Sequence, residues 1–291
     1  MELRVLRYFL TIAREQNITK AAEVLNITQP TLSRQIIQLE QELGKKLFNR
    51  DKGKIRLTND GMLLKRRAEE LLDLAEKTEK EFKENKTLIS GEIAIGSGEA
   101  NTFHYLSKIM SDFSKEYPQV KFDLFSGNAD DIKEKIDNGL IDVALLNEPV
   151  SIEKYDFVRI PEKLRWGVLM KKDDSLSQQE HISSKDIVEK PLIVTKRSIV
   201  QNEIANWLKY DFNKLNIIAY YNLIYNATLL VEDGLGYAIT IDKLVMDNPQ
   251  SKVVFKPFYP PLETGCVIVW KKHQVFSPAT TEFIEQLRNA L

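Results

Sequence analysis

Residues 19–50 carry two apolar helical periods with room for no more than a tight turn between them, and this spacing constrains the chain more than any other stretch. Thr19 can cap a short helix in which Ala21, Ala22, Val24 and Leu25 are small or apolar, and Asn26 ends it where the chain must turn. A second helix follows at once. Thr28 is its expected cap, Pro30 falls in the first turn where a missing N–H costs nothing, and Leu32, Ile36, Leu39 and Leu43 recur as a buried stripe. The opposite face carries Thr31, Arg34, Gln35, Gln38 and Gln41, which all form hydrogen bonds and include no carboxylate. Such a face suits base edges and phosphates. Upstream, Leu3, Leu6, Leu10 and Ala13 predict a third helix that completes a minimal core.

After Gly44 the period changes. Leu47 to Arg50 and Ile55 to Leu57 read as two short strands about Asp51-Lys52-Gly53-Lys54, a hairpin with a cationic tip. Residues 1–67 hold 14 Lys and Arg against 7 Asp and Glu, while the rest of the chain holds 27 against 35, so a net +7 at one end faces −8 elsewhere. Positive charge gathered at one end suits a polyanion. A polar helix face or a charge run, taken alone, is usually solvated surface. Here the helix pair, the basic hairpin and the local charge coincide, and together they predict a DNA reader.

The run Ala21-Ala22, Leu25, Gln29-Pro30-Thr31-Leu32-Ser33-Arg34-Gln35-Ile36, Leu39-Glu40, Glu42-Leu43-Gly44, Leu47-Phe48, Arg50, Leu57-Thr58 and Gly61 resembles the winged helix-turn-helix of LysR-type transcriptional regulators. The rest of the chain is similar to that family as well, through Gly139, Asp142 and Val143-Ala144, and through Leu230-Val231, Gly234-Leu235-Gly236 and Ala238-Ile239. Asn59-Asp60 departs from the small residue usual before Gly61, and Asp242 stands where a proline is common. The resemblance implies an α+β two-domain chain. Residues 1–58 would form a winged helix-turn-helix DNA-binding domain and 59–88 a linker and dimerisation helix. Residues 89–291 would form an α/β periplasmic-binding-protein-like effector-binding domain, with lobe 1 at about 89–162 and 267–291 and lobe 2 at about 163–266. It further implies a homodimer, assembled as a homotetramer, that binds double-stranded promoter DNA and a small-molecule metabolite and needs no cofactor. Groove contacts are expected from Gln29, Thr31, Ser33, Arg34 and Gln38, and backbone contacts from Arg50, Lys52 and Lys54.

Composition fits this organisation. A chain of 291 residues with 43% hydrophobic content can bury one small and one larger core. The one cysteine, Cys266, excludes an intrachain disulfide, and the start reads as an amphipathic helix instead of a signal peptide. No apolar run approaches the roughly 18 residues that cross a bilayer. The expectation is a cytoplasmic protein without a membrane segment. Residues 58–85 read as one helix capped by Thr58, in which Leu64, Ala68, Leu71, Ala75, Thr78 and Phe82 form a heptad seam between charged positions. A two-fold mate would cover that seam; packing onto its own domain is the alternative.

Beyond residue 89, strands and helices alternate. Strands are expected at 92–95, 120–125, 141–146, 164–170 and 191–195, and helices at 102–117, 129–138, 199–209 and 226–233. Ligands in such folds bind where strands end and helices begin. Ser97, Gly98, Asn101 and Thr102 lie at the first such junction, where free N–H groups favour an anion. The resemblance adds Asn128, Asn147, Thr195, Lys196, Ser198 and Asn226. Ser97, Thr102, Thr195 and Asn226 could equally cap helices. Gly98 and Ala100 stand where the family often shows hydroxyls, which disfavours a small inorganic anion, whereas Lys196 and Arg197 admit a carboxylate or a phosphorylated metabolite.

An enzyme finds few parts here. His104, His181 and His273 are far apart, Cys266 has no nearby histidine, Gly96-Ser97-Gly98 is no GxSxG elbow, and Gly234-Leu235-Gly236 lacks the third glycine of a dinucleotide loop. A solute-capture protein would need export and would have no use for a basic headpiece.

Overall fold

The computed structural model describes residues 1–51, 54–83, 89–244 and 251–291. The chain divides into two units, Met1–Glu84 and Asn85–Leu291. None of the described helices is long and apolar enough to cross a membrane.

The first unit runs α1 (Leu3–Glu15), α2 (Ile18–Val24), α3 (Gln29–Leu43), β1 (Phe48–Asp51), β2 (Lys54–Leu57) and α4 (Asn59–Lys83). On α1 the buried row is Val5, Leu6, Phe9 and Ile12, one step around from the expected Leu3–Leu10 row. That row buries more apolar volume, and Leu3 is left 45% exposed. The cap of α2 is Asn17, whose side chain accepts from the Lys20 N–H at 3.1 Å, so Thr19 lies inside the helix. Asn26 turns the chain at φ +52°. Thr28 caps α3 as expected, and Leu32, Ile36 and Leu39 are buried. Leu43 is not, because α3 ends at Gly44 beyond the edge of the core.

Glu40 ties α3 to the hairpin. It is 9% exposed, and its Oε1 accepts from the N–H of Leu47 at 2.8 Å while Oε2 takes Lys46 Nζ at 2.8 Å. Burial alone would raise its pKa. The bonds from Lys46, Leu47 and Phe48 outweigh that effect and hold the carboxyl below its ordinary value. β1 and β2 pair antiparallel from Phe48 opposite Leu57 to Asp51 opposite Lys54, and the Phe48 ring meets Phe9 at 5.1 Å. Gly61, in the first turns of α4, packs against this hairpin so closely that a Cβ would stand 2.1 Å from the Leu47 carbonyl. Further along α4, Ala68 is fully buried with Leu64 and Leu72 beside it in the same core. The expected seam is therefore split, because Leu64 and Ala68 serve their own unit while Leu71 and Phe82 face outward.

The second unit runs β3 (Gly91–Ser97), α5 (Phe103–Glu116), β4 (Val120–Ser126), α6 (Ala129–Asp137), β5 (Val143–Asn147), β6 (Tyr155–Lys171), α7 (Ser184–Ile187), β7 (Leu192–Thr195), α8 (Ser198–Leu208), β8 (Ile217–Tyr221), α9 (Ile224–Glu232), β9 (Tyr237–Ile241), β10 (Val253–Pro257), β11 (Glu263–Lys271) and α10 (Pro278–Ala290). Strands follow the order β4-β3-β5-β11-β6-β9-β7-β8, with β10 beside β6. β3 is parallel to β4 and β5, and β7 is parallel to β8 and β9. These two groups form the sheets of two lobes. β6 belongs to both: its first half pairs with β11, and its second half pairs with β9 and β10. Its 17 residues extend well before the expected 164–170, because the half-exposed first part is made a strand only by its distant partner β11.

Two recurring motifs act structurally. Asp142 accepts the Ala94 N–H at 2.9 Å and fastens β5 to β3. In the Gly234-Leu235-Gly236 segment, Gly234 has φ +79°, and a Cβ on Gly236 would lie 2.5 Å from the Pro191 carbonyl. Asp242, the departure from the family pattern, accepts both the N–H and the Nε–H of Arg165 at 3.0 Å and so joins β9 to β6.

Glu40 sets a pH test. A carboxyl whose folded pKa lies below its unfolded value of 4.5 adds stability above that pH, and the addition is lost as pH falls through the folded pKa. Glu40→Gln should cost about 1 kcal/mol at neutral pH, and its gap from wild type should close on acidification. Thermal melts of both proteins along a falling pH series check this, and a gap that is independent of pH would contradict it.

Candidate functional site

The first unit presents α3 outward. Thr31, Arg34 and Gln38 are exposed along one face, opposite the buried Leu32, Ile36 and Leu39. Gln29 and Ser33 hold each other, with Gln29 Nε2 donating to Ser33 Oγ at 2.8 Å, and the hydroxyls of Thr28 and Thr31 also lie 2.8 Å apart. Gln38 Nε2 reaches Glu42 at 3.4 Å. Arg50 and Lys54 lie on the paired strands of the hairpin, and Lys52 lies outside the described residues. The face thus pairs hydrogen-bonding side chains on a rigid helix with a hairpin fixed by Glu40.

In the second unit a cleft opens between the lobes, with about 630 Å³ of empty space including its mouth. Of the expected residues, Gly98, Asn128, Asn147 and Thr195 line it. Ser97 and Asn101 line an adjoining groove. Lys196, Ser198 and Asn226 are exposed and line neither. Thr102 is fully buried, and its hydroxyl donates to Cys266 Sγ at 3.2 Å. Cys266 in turn donates to Asn147 Oδ1 at 3.0 Å, so the Asn147 amide is held in place from behind. Burial pushes the thiol up to about 11, and it stays protonated at neutral pH. Asn128 is chiefly a cap, since its Oδ1 accepts the N–H groups of Asp130 and Asp131 at 2.9 and 3.1 Å.

Several cleft residues lay beyond the sequence reading. Trp166 comes from the second half of β6, Thr240 from β9 and Tyr221 from β8. The Tyr221 hydroxyl donates to the Ile239 carbonyl at 2.7 Å, and burial pushes its pKa up to about 12. Among the contacts that cross between the lobes, two lie at the cleft. Glu99, after β3, accepts the Ile224 N–H at the start of α9. Arg197, before α8, donates from Nη2 to the Pro149 carbonyl at 2.9 Å and lies 3.5 Å from Asp130. A carboxylate at a helix N-terminus and a guanidinium on a carbonyl are both favourable, so each holds the lobes together.

Residues 3–62 match the bacterial regulatory helix-turn-helix protein, lysR family, and residues 86–291 match the LysR substrate binding domain. The chain belongs to the LysR family. It is a LysR-family DNA-binding transcriptional regulator with a substrate-binding domain. Among its relatives is the HTH-type transcriptional regulator BsdA of Bacillus subtilis, 32% identical over 75% of this chain and 74% of that protein. Another is the Hca operon transcriptional activator HcaR of Escherichia coli, 29% identical over 100% of this chain and 98% of that protein. Among solved structures, full-length CbnR in complex with its target DNA has a TM-score of 0.74 at 20% identity, with both chains covered in full. The LysR fold is thus shared from end to end.

The contact between Glu99 and α9 makes a local prediction. Glu99→Ala removes the acceptor of the Ile224 N–H, so amide exchange at the start of α9 should quicken about tenfold while β5 is unchanged. Hydrogen-exchange mass spectrometry reads this, and equal rates in both proteins would show that the contact carries no stability.

Proposed function

We propose that this LysR regulator reads double-stranded promoter DNA by laying α3 in the major groove, and that a small metabolite in the cleft of its second unit sets its activity. The observation that carries the first half is the exposed face of Thr31, Arg34 and Gln38 on a capped helix, within a unit of net positive charge. Gln29 and Ser33 extend that face, and Arg50, Lys52 and Lys54 serve flanking phosphates. Leu71, Leu74 and Phe82 are exposed apolar side chains on α4, which supports a two-fold mate and hence a homodimer, paired again as a homotetramer. A regulator of this kind works in the cytoplasm, where the promoter is, and its role is binding, without catalysis or a cofactor.

For the second half, the cleft combines an apolar wall with a few convergent polar groups, as small-molecule sites do. Its contacts across the lobes, from Glu99 and Arg197, let a ligand bias the closed arrangement over an open one through its differential affinity. In the reading proposed, Gly98, Asn128, Asn147 and Thr195 belong to that site, and Lys196, Ser198 and Asn226 do not contact the ligand.

The DNA half is tested by two substitutions with opposite signatures. Arg34→Ala should cost about 1–3 kcal/mol on the cognate site and relax preference at one base position. Lys52→Ala should weaken every duplex alike and lower the salt slope by about one unit. Fluorescence polarisation on duplexes selected from random sequence reads both. Uniform loss for Arg34→Ala would remove it from base readout, and an unchanged slope would remove Lys52 from the backbone.

A further inference from the structure

Strand β6 crosses from one sheet to the other with a single residue, Trp166, where its antiparallel neighbour uses five. Pro257 at the end of β10 stands opposite Gly167, and Glu263 at the start of β11 stands opposite Arg165, so residues 258–262 all face Trp166. Both ends of that span are pinned to it. The Trp166 carbonyl accepts the Phe258 N–H at 2.9 Å, and the Trp166 N–H donates to the Leu262 carbonyl at 2.8 Å. Tyr259, Pro260 and Pro261 stand between them as an exposed bulge, and neither proline has an N–H to give a neighbouring strand. Here the angle between the two sheets can change, because the bulge holds spare chain beside a one-residue crossing.

The spare chain is tied down by α8. Trp207, in the last turn of that helix, donates from Nε1 to the Pro260 carbonyl at 2.7 Å, and its ring lies on Phe258 with centroids 3.8 Å apart and planes 16° from parallel. Val200, Ile204 and Leu208 are buried and seat α8 in the second lobe. Its opposite end reaches the first lobe. There Arg197 donates to the Pro149 carbonyl at 2.9 Å and lies 3.5 Å from Asp130. One helix, with roughly 15 Å of rise between residues 197 and 207, thus links the cleft contact to the crossing.

We infer that Trp207 is a brace on the hinge: by fixing the bulge to α8 it sets how readily the lobes swing apart. The inference goes beyond the proposed function, because it concerns the opening of the lobes whatever the cleft holds. Swinging the lobes apart turns β11 against β10, and the bulge must absorb that turn because β6 runs straight through. With the Pro260 carbonyl on Trp207, the bulge deforms only by breaking that bond or by pulling α8 from its apolar seat. Breaking the bond costs less, so its strength sets the resistance to opening.

Amide exchange on the full chain, read by mass spectrometry, tests this. The reporter of opening is the Ile224 N–H on α9, which Glu99 holds from the other lobe, while the Tyr259 N–H, bonded to the Ile182 carbonyl at 2.9 Å, reports on the bulge itself. Trp207→Phe keeps a ring against Phe258 and removes only the N–H. Exchange should quicken about two- to tenfold at Tyr259 and at least about twofold at Ile224, with β5 unchanged. In a Glu99→Ala background, where the bond across the lobes is already gone, Trp207→Phe should leave Ile224 as it was. If Trp207→Phe fails to fold, a second variant replaces it: two glycines inserted between Pro260 and Pro261 lengthen the bulge, leave Trp207 in place and should quicken Ile224 in the same way. Faster exchange at Tyr259 with Ile224 unchanged would reduce Trp207 to local packing and overturn the brace. So would no change at either amide, faster exchange throughout the second unit, or an equal gain at Ile224 in the Glu99→Ala background.

Discussion

Strand β6 passes unbroken from one sheet to the other, and the whole of the second unit is arranged around that passage. It pairs with β11 as far as Arg165 and from Trp166 onward with β9. The chain returns from β10 to β11 through residues 258–262, so two adjacent segments join the sheets, a geometry that permits hinge bending. Beside these backbone links, side chains reach between the lobes. Glu99 and Arg197 reach across, Asn147 is held from behind by Cys266, and Trp166 sits on the crossing itself. Hydrogen bonds of this kind are of the size that a small ligand can match.

In the first unit the equivalent constraint is Glu40. A carboxylate within the core of a small domain is costly unless fully bonded, and here it collects Lys46 and two backbone N–H groups from the start of the hairpin. The outcome is a hairpin held at a defined position relative to α3. Gly61 brings α4 into contact with the same segment, and Ala68 lets the helix lie close on the core. A reading head of this kind gains precision because its helix, hairpin and outgoing helix share one core.

The readable parts of the sequence were those whose contacts are local. Helices α2 and α3 follow from periodicity and capping, with the cap of α2 two residues from its expected place because Asn17 and Thr19 are both good caps. On α1, two apolar rows one step apart competed, and the one with Phe9 and Ile12 won by volume. β8 to β11 and the first half of β6 were not among the expected strands, although β8, β10 and β11 are rich in β-branched and aromatic residues; their places in the sheets depend on partners far along the chain. The lining of the cleft was legible at Gly98, where a strand ends before a helix, and at Asn147 through the family resemblance, and illegible where it depends on strand register, as at Trp166, Thr240 and Tyr221. The run Lys196-Arg197-Ser198 shows the limit: the outer two are solvent-exposed and the middle one is buried in the cleft wall, a distinction that residue type does not carry.

Recognition of a specific DNA sequence is the claim on which the rest depends. It is tested most directly by titrating the purified protein onto the duplex immediately upstream of its own gene, across a salt series, with an unrelated duplex as competitor. The account predicts affinity that falls steeply with salt and survives the competitor, with at least about a thousandfold preference for the upstream duplex. Equal affinity for both duplexes, or no binding at low salt, would contradict it.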